Sequence, residues 1–136
     1  GKIFLQEIRA HIAKGESFAF ETTLSGLGYV RTIKEMRKSG WRIVLIYLWI
    51  PDAEFSRRRV AERVAQGGHD IPEKIIQRRF NKSMSNLFAL YMPLCDEVQI
   101  YDNSEACPVL IFNRWHGHEN ILDKNLYGFI RRHFPS

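Results

Sequence analysis

Residues 42–50, RIVLIYLWI, constrain this chain more than any other stretch of its sequence. The run is almost continuously apolar, rich in β-branched and aromatic side chains, and closed by Pro51. It falls far short of the roughly 20 residues that a membrane-spanning helix needs. Its residue types favour a strand. A strand without alternation is buried on both faces, as in the parallel sheets of α/β proteins.

The flanking pattern agrees with that reading. Ile3, Phe4, Ile8 and Ile12 recur at helical spacing, and Gly15 stops that helix. Residues 17–21, SFAFE, read as a short buried strand, and residues 22–28 as a polar glycine turn. Tyr29, Ile33 and Met36 give a second helix its apolar face, which Gly40 ends. Residues 52–66 form a basic helix and residues 67–72 a loop. Pro72 opens a long helical segment reaching about Met92. Residues 96–101 and 109–112 read as strands, and residues 120–134 as a closing helix. Helices alternate with strands, which argues α/β with a mainly parallel sheet. No repeat or linker divides the 136 residues, so one domain is expected.

Composition narrows the functional classes. The chain is 45% hydrophobic and 26% charged, which excludes a disordered tail or a disulfide scaffold. The net charge of +5 admits nucleic acid, an anionic membrane or a phosphate-bearing small molecule. The excess is spread along the chain, so a solvated surface explains much of it. Cys95 and Cys107 fit neither metal spacing nor CxxC chemistry and suggest a reducing compartment. The N-terminal apolar residues alternate with charges at helical spacing, unlike a signal peptide. The expectation is a cytoplasmic protein without a membrane segment.

Chemistry has two candidate locations. Glu21 stands at the carboxyl end of an expected strand, where parallel sheets bind ligands. It could accept hydrogen bonds from a substrate hydroxyl, or simply order its turn. The second location is a basic helix–loop–helix. Arg59 and Arg63 share a helix face, as do Arg78 and Lys82, with Arg79 beside them. Between them lie Gly67, Gly68 and His69. Cationic faces around a glycine hinge suit a lid over phosphates at about residues 59–82. They equally suit a solvated hairpin, with Glu62 and Glu73 near enough to pair. His116, His118 and Glu119 could chelate a metal, but no partner cluster exists elsewhere, so no metal site is expected. Trp41, Tyr47 and Trp49 interleave with a strand and read as core, not as base-stacking platforms.

Taken together, FAFETTLSG, LIYLWIP, VAERVAQGGHDIPEKIIQRRF, NL and VQIYDNS resemble the zeta-toxin-like P-loop kinases. The likeness runs from the first helix to about Ser104 and is nearest the branch described as predicted ABC-type ATPases. It implies a three-layer P-loop kinase fold and ATP- and magnesium-dependent phosphoryl transfer to a hydroxyl of a nucleotide-sugar-like molecule. By this resemblance Glu21 and Thr23 face the acceptor. Arg63 and Arg79 stabilise phosphoryl charge. Arg78, Lys82, His69 and Asn103 lie on the nucleotide side.

The sequence departs from the family at one point. No GxxxxGK(S/T) occurs in it, and neither Gly26-Leu-Gly28 nor Gly67-Gly68 is followed by the required Lys and hydroxyl residue. That loop cradles phosphates and holds magnesium. The N-terminal strand and phosphate loop are therefore read as absent. The chain alone is expected to be inactive and to bind neither ATP nor magnesium tightly. An upstream segment or a second chain would complete the sheet between residues 18–21 and 43–49. The alternatives are a non-catalytic relic that binds a phosphorylated ligand or a protein partner of the antitoxin kind, and a basic nucleic-acid-binding domain, against which the core-like aromatics argue.

Overall fold

The computed structural model describes residues 2–22, 24–51, 58, 61–68 and 72–134. Helix α1 spans Lys2–Lys14 and ends where Gly15 adopts φ 68°. Helix α2, Val30–Lys38, turns Ile33 and Met36 inward. Gly40, at φ 88°, closes α2, with the Trp41 amide donating to Met36 O at 3.0 Å. Strand β1 is Val44–Trp49. Helix α3, Glu73–Asn86, follows Pro72, whose extended backbone caps it. It widens into a π-helical turn, Leu87–Tyr91, and tightens into a 3-10 turn, Met92–Leu94. Strands β2 (Glu97–Asp102), β3 (Val109–Trp115) and β4 (His118–Ile121) lead to helix α4, Lys124–His133. Asp123 caps α4 by accepting from the Leu126 amide.

The fold is α/β, as the alternating pattern predicts, but its sheet is not mainly parallel. The strand order is β1-β2-β3-β4. Among the described strands only β1 and β2 pair in parallel; β2–β3 and β3–β4 are antiparallel. Chain length between strands explains the difference. A parallel return needs a crossover of a dozen or more residues. Residues 103–108 are too few for one, and His116 and Gly117, both at positive φ, make a two-residue hairpin turn. The closing helix accordingly starts at Lys124, because residues 118–121 are used as a strand.

Residues 17–21 do not form the expected strand. Phe18 and Phe20 alternate as a strand would, yet no ladder joins them to β1 among the described residues. Aromatic packing holds them instead. Phe18 stacks on His11 at 5.2 Å and meets the edge of Trp41 at 5.8 Å, while Phe20 contacts Tyr29 at 5.1 Å.

The core lies on one face of the sheet. Val98, Ile100, Ile111 and Phe112 pack there against Met84, Leu87, Phe88, Tyr127 and Ile130. Phe112 stacks on Tyr127 at 4.4 Å, and the Tyr47 hydroxyl is 2.8 Å from Ser83 Oγ. The expected burial of β1 on both faces is not met among the described residues. Val44, Ile46 and Leu48 are 46%, 58% and 51% exposed. No helix among the described residues is long and apolar enough to cross a membrane.

Candidate functional site

The site is built where loop 22–28 meets α3 and its π-turn. The loop enters through an exposed Glu21 and turns at Leu24, which has φ 58° and is 3% exposed. A γ-branched side chain rarely adopts that backbone region without support from its surroundings. Here the support is explicit. Thr22 Oγ1 accepts from the Leu24 amide at 3.2 Å. The buried Asn86 Nδ2 donates to Leu24 O at 2.7 Å, and the Tyr91 hydroxyl donates to Gly26 O at 2.8 Å. The Leu24 side chain joins the core cluster that holds Trp49, Met84 and Leu87. Burial pushes the Tyr91 hydroxyl above its ordinary pKa, which keeps it a donor.

The cations of α3 lie in register with this joint. At 3.6 residues per turn, Arg79, Lys82 and Asn86 fall on one stripe of the helix. Lys82 is about 6 Å and Arg79 about 10 Å back along the axis from Asn86. Arg78 sits at the edge of that stripe, and all three cations are exposed. Glu21, Arg63, Arg79 and Lys82 make no ion pair among the described residues.

Arg63 belongs to a helical stretch that includes residues 61–65. The double glycine after it is a helix terminator. The Gly67 amide donates to Val64 O at 3.0 Å and the Gly68 amide to Arg63 O at 2.7 Å, the paired bonds of a Schellman cap. Gly67 has φ 92°, and a Cβ on Gly68 would stand 2.9 Å from Arg63 O. The cap therefore accounts for both glycines. Arg59, His69 and Thr23 lie outside the described residues.

Asn103 is at the carboxyl end of the parallel pair, where its amide donates to Trp49 O at 2.8 Å. The next amide, of Ser104, donates to Asp102 Oδ1 at 3.0 Å. His116 is a turn residue, and no group of three metal-ligating side chains exists among the described residues. Sequence reasoning missed the roles of Asn86 and Tyr91. Asn86 carried a signal, since an amide inside a long apolar-faced helix must be bonded when buried.

Comparison with known proteins bears on the family of the chain. An uncharacterized protein of Haemophilus influenzae is 33% identical over 78 residues, covering 57% of this chain and 53% of that protein. The chain thus matches about half the length of that curated relative. No solved structure matches it. The family of zeta toxins matches residues 3–113, a span that holds loop 22–28, α3 and the parallel strand pair, and the chain belongs to the zeta toxin family.

Proposed function

We propose that this chain is the acceptor- and lid-bearing part of an ATP-dependent phosphotransferase acting on a hydroxyl of a small nucleotide-sugar-like molecule. One observation carries the reading: Asn86 ties loop 22–28 to the helix whose same stripe bears Lys82 and Arg79. An acceptor loop and phosphate-binding cations are thereby built onto one element. Glu21, with Thr23 beside it in sequence, would accept hydrogen bonds from acceptor hydroxyls. Arg63 and Arg79 would neutralise charge on the transferring phosphoryl group. Arg78, Lys82, His69 and Asn103 would lie toward the nucleotide, with residues 59–82 as the lid of a single domain. Two free thiols, Cys95 and Cys107, support a cytoplasmic setting.

The residues present fit phosphate but not magnesium. The 136 residues contain no GxxxxGK(S/T), and the described residues offer no carboxylate cluster for an ion. No step through magnesium is assigned to them. For the same reason, ATP-dependent phosphorylation of a nucleotide sugar by the 136-residue chain is expected to stay at background. Turnover that Arg79→Ala abolishes would reveal a missed phosphate site. This same observation gives weight to a second reading, a domain that binds a phosphorylated ligand without turning it over.

The deciding experiment is an amide NMR titration with UDP-N-acetylglucosamine. Shifts should concentrate at residues 21–28 and along Arg79 to Asn86. Glu21→Ala should weaken binding about tenfold, as expected for a lost charge-assisted contact to the acceptor hydroxyls. Shifts clustering instead at the open basin of about 520 Å³ lined by Trp41, Arg42, Arg114 and His116 would sink the assignment.

A further inference from the structure

Two buried side chains outside the candidate acceptor and phosphate groups hold the loop at Leu24 and Gly26. The loop pairs with no strand among the described residues, and Leu24 takes a left-handed backbone. Apart from the Thr22 bond, the anchors at that point come from elsewhere in the chain. Asn86 holds Leu24 O and Tyr91 holds Gly26 O. Asn86 is 7% and Tyr91 1% exposed, so water cannot replace either bond readily.

The π-helical turn explains how both can reach one loop. Residues five apart in an α-helix point about 140° away from each other. Over Leu87–Tyr91 the helix widens to the i→i+5 pattern, which returns the fifth residue to nearly the same side. Tyr91 is thereby swung round to the side of Asn86, and the two grip carbonyls two residues apart. A regular helix through residues 87–91 would set the two about 140° apart. The turn continues directly from α3, so the grip on the loop and the Arg79–Lys82 stripe belong to one continuous helical segment.

We propose that Asn86 and Tyr91 are positioning residues of the acceptor site, holding loop 22–28 so that Glu21 stands at a fixed place relative to Lys82 and Arg79. This rests on the acceptor reading given above. Neither residue touches the acceptor. Their effect is on affinity, through the conformation of the loop.

The test uses the 136-residue chain with Asn86→Asp and Tyr91→Phe, and Tyr47→Phe as the control. Asn86→Asp keeps the shape but sets a carboxylate against Leu24 O. Tyr91→Phe removes only a hydroxyl. Tyr47→Phe removes another part-buried hydroxyl, which bonds Ser83 Oγ and Met84 Sδ on the sheet side of α3. Two quantities are read: amide shifts and hydrogen exchange of residues 21–28, and binding of UDP-N-acetylglucosamine at a temperature where every variant is folded. Both loop variants should accelerate exchange across residues 24–28 and weaken binding about tenfold, with the control unchanged in both. A purely structural role would lower Tm and leave the affinity of the folded fraction alone. Wild-type binding that survives both loop variants undiminished overturns the positioning role. Failure of the wild type to bind, with the loop still loosened in both variants, overturns the acceptor reading instead.

Discussion

Cys95 shows at the scale of one residue how this core treats a group that can ionise. It is 7% exposed, and its thiol donates to Tyr91 O at 3.1 Å. Burial pushes its pKa from 9.0 up to about 11, although the nearby guanidiniums of Arg114 and Arg37 pull the other way. Tyr47, Tyr91 and Tyr127 are raised as well, each chiefly by burial. In every case the folded state holds the proton more tightly than the unfolded chain does. The stability this contributes is complete below the unfolded values and is lost as pH climbs through the folded ones. Urea denaturation should therefore give a flat stability between about pH 7 and 8.5, then a decline from about pH 9 toward 11, shallower in Cys95→Ala. The same burial predicts two thiols of unequal reactivity. Cys107 is exposed and should react with a disulfide reagent at once, and Cys95 only on unfolding. Two equally fast thiols would contradict the packing around Tyr91.

Elements were legible where the chain punctuates itself, and less so where packing decides. Gly15 and Gly40 end helices in the structure as they do in the sequence, and Pro72 caps the long helix it was expected to open. The π-turn was not legible, because its residues LFALY continue the apolar periodicity of an α-helix. Its widened backbone shows only in the structure, where it accompanies the bonds to the loop at Leu24 and Gly26. The β3–β4 hairpin was hidden for another reason. Trp115-His-Gly-His118 reads as a turn, but a type I′ turn usually announces itself with Asn-Gly. Here His116 takes φ 49° in place of the asparagine, and Gly117 takes φ 79°. His116→Asn should therefore stabilise the protein by a few tenths of a kcal/mol, up to about 1, and His116→Val should destabilise it by more. Thermal melts of the pair decide this. Equal Tm values would mean that the turn is not held in the left-handed region. The double glycine is legible only in part. Its sequence suggested a hinge, whereas Gly67 and Gly68 complete a helix cap, so Gly67→Ala should shorten the helix around residues 61–65 rather than stiffen a loop.

At the scale of the whole molecule, the sheet has two faces of different chemistry. Toward the helices it is mostly apolar, with Arg114 of β3 reaching from that face to Met92 O and Cys95 O. On the other face the side chains change column by column. β2 presents Glu97, Gln99 and Tyr101, joined in a chain of hydrogen bonds of 3.0 and 2.9 Å. Further along, Asn113 bonds Asn120, and Arg42 lies over Trp115 while pairing with Glu97. Those columns suit water, as the outer face of an antiparallel hairpin should. β1 does not. Its register sets Val44, Ile46 and Leu48 beside Glu97, Gln99 and Tyr101, and its outer edge pairs with no described strand. The apolar run at residues 42–50 thus signalled burial on both faces, but the described residues cover only one, and sequence alone could not separate the two because neighbours set burial. Substitution separates them. Ile100, 1% exposed on the helix side, should cost about 2–5 kcal/mol when cut to Ala. Ile46, 58% exposed on the opposite face, should cost less than about 1 kcal/mol by the same cut, and Ile46→Lys should lower concentration-dependent self-association by interrupting an unprotected apolar edge. Urea midpoints and light scattering on the three variants provide the comparison. If Ile46→Ala costs as much as Ile100→Ala, the β1 column is covered in solution, and the bare face read from these residues is wrong.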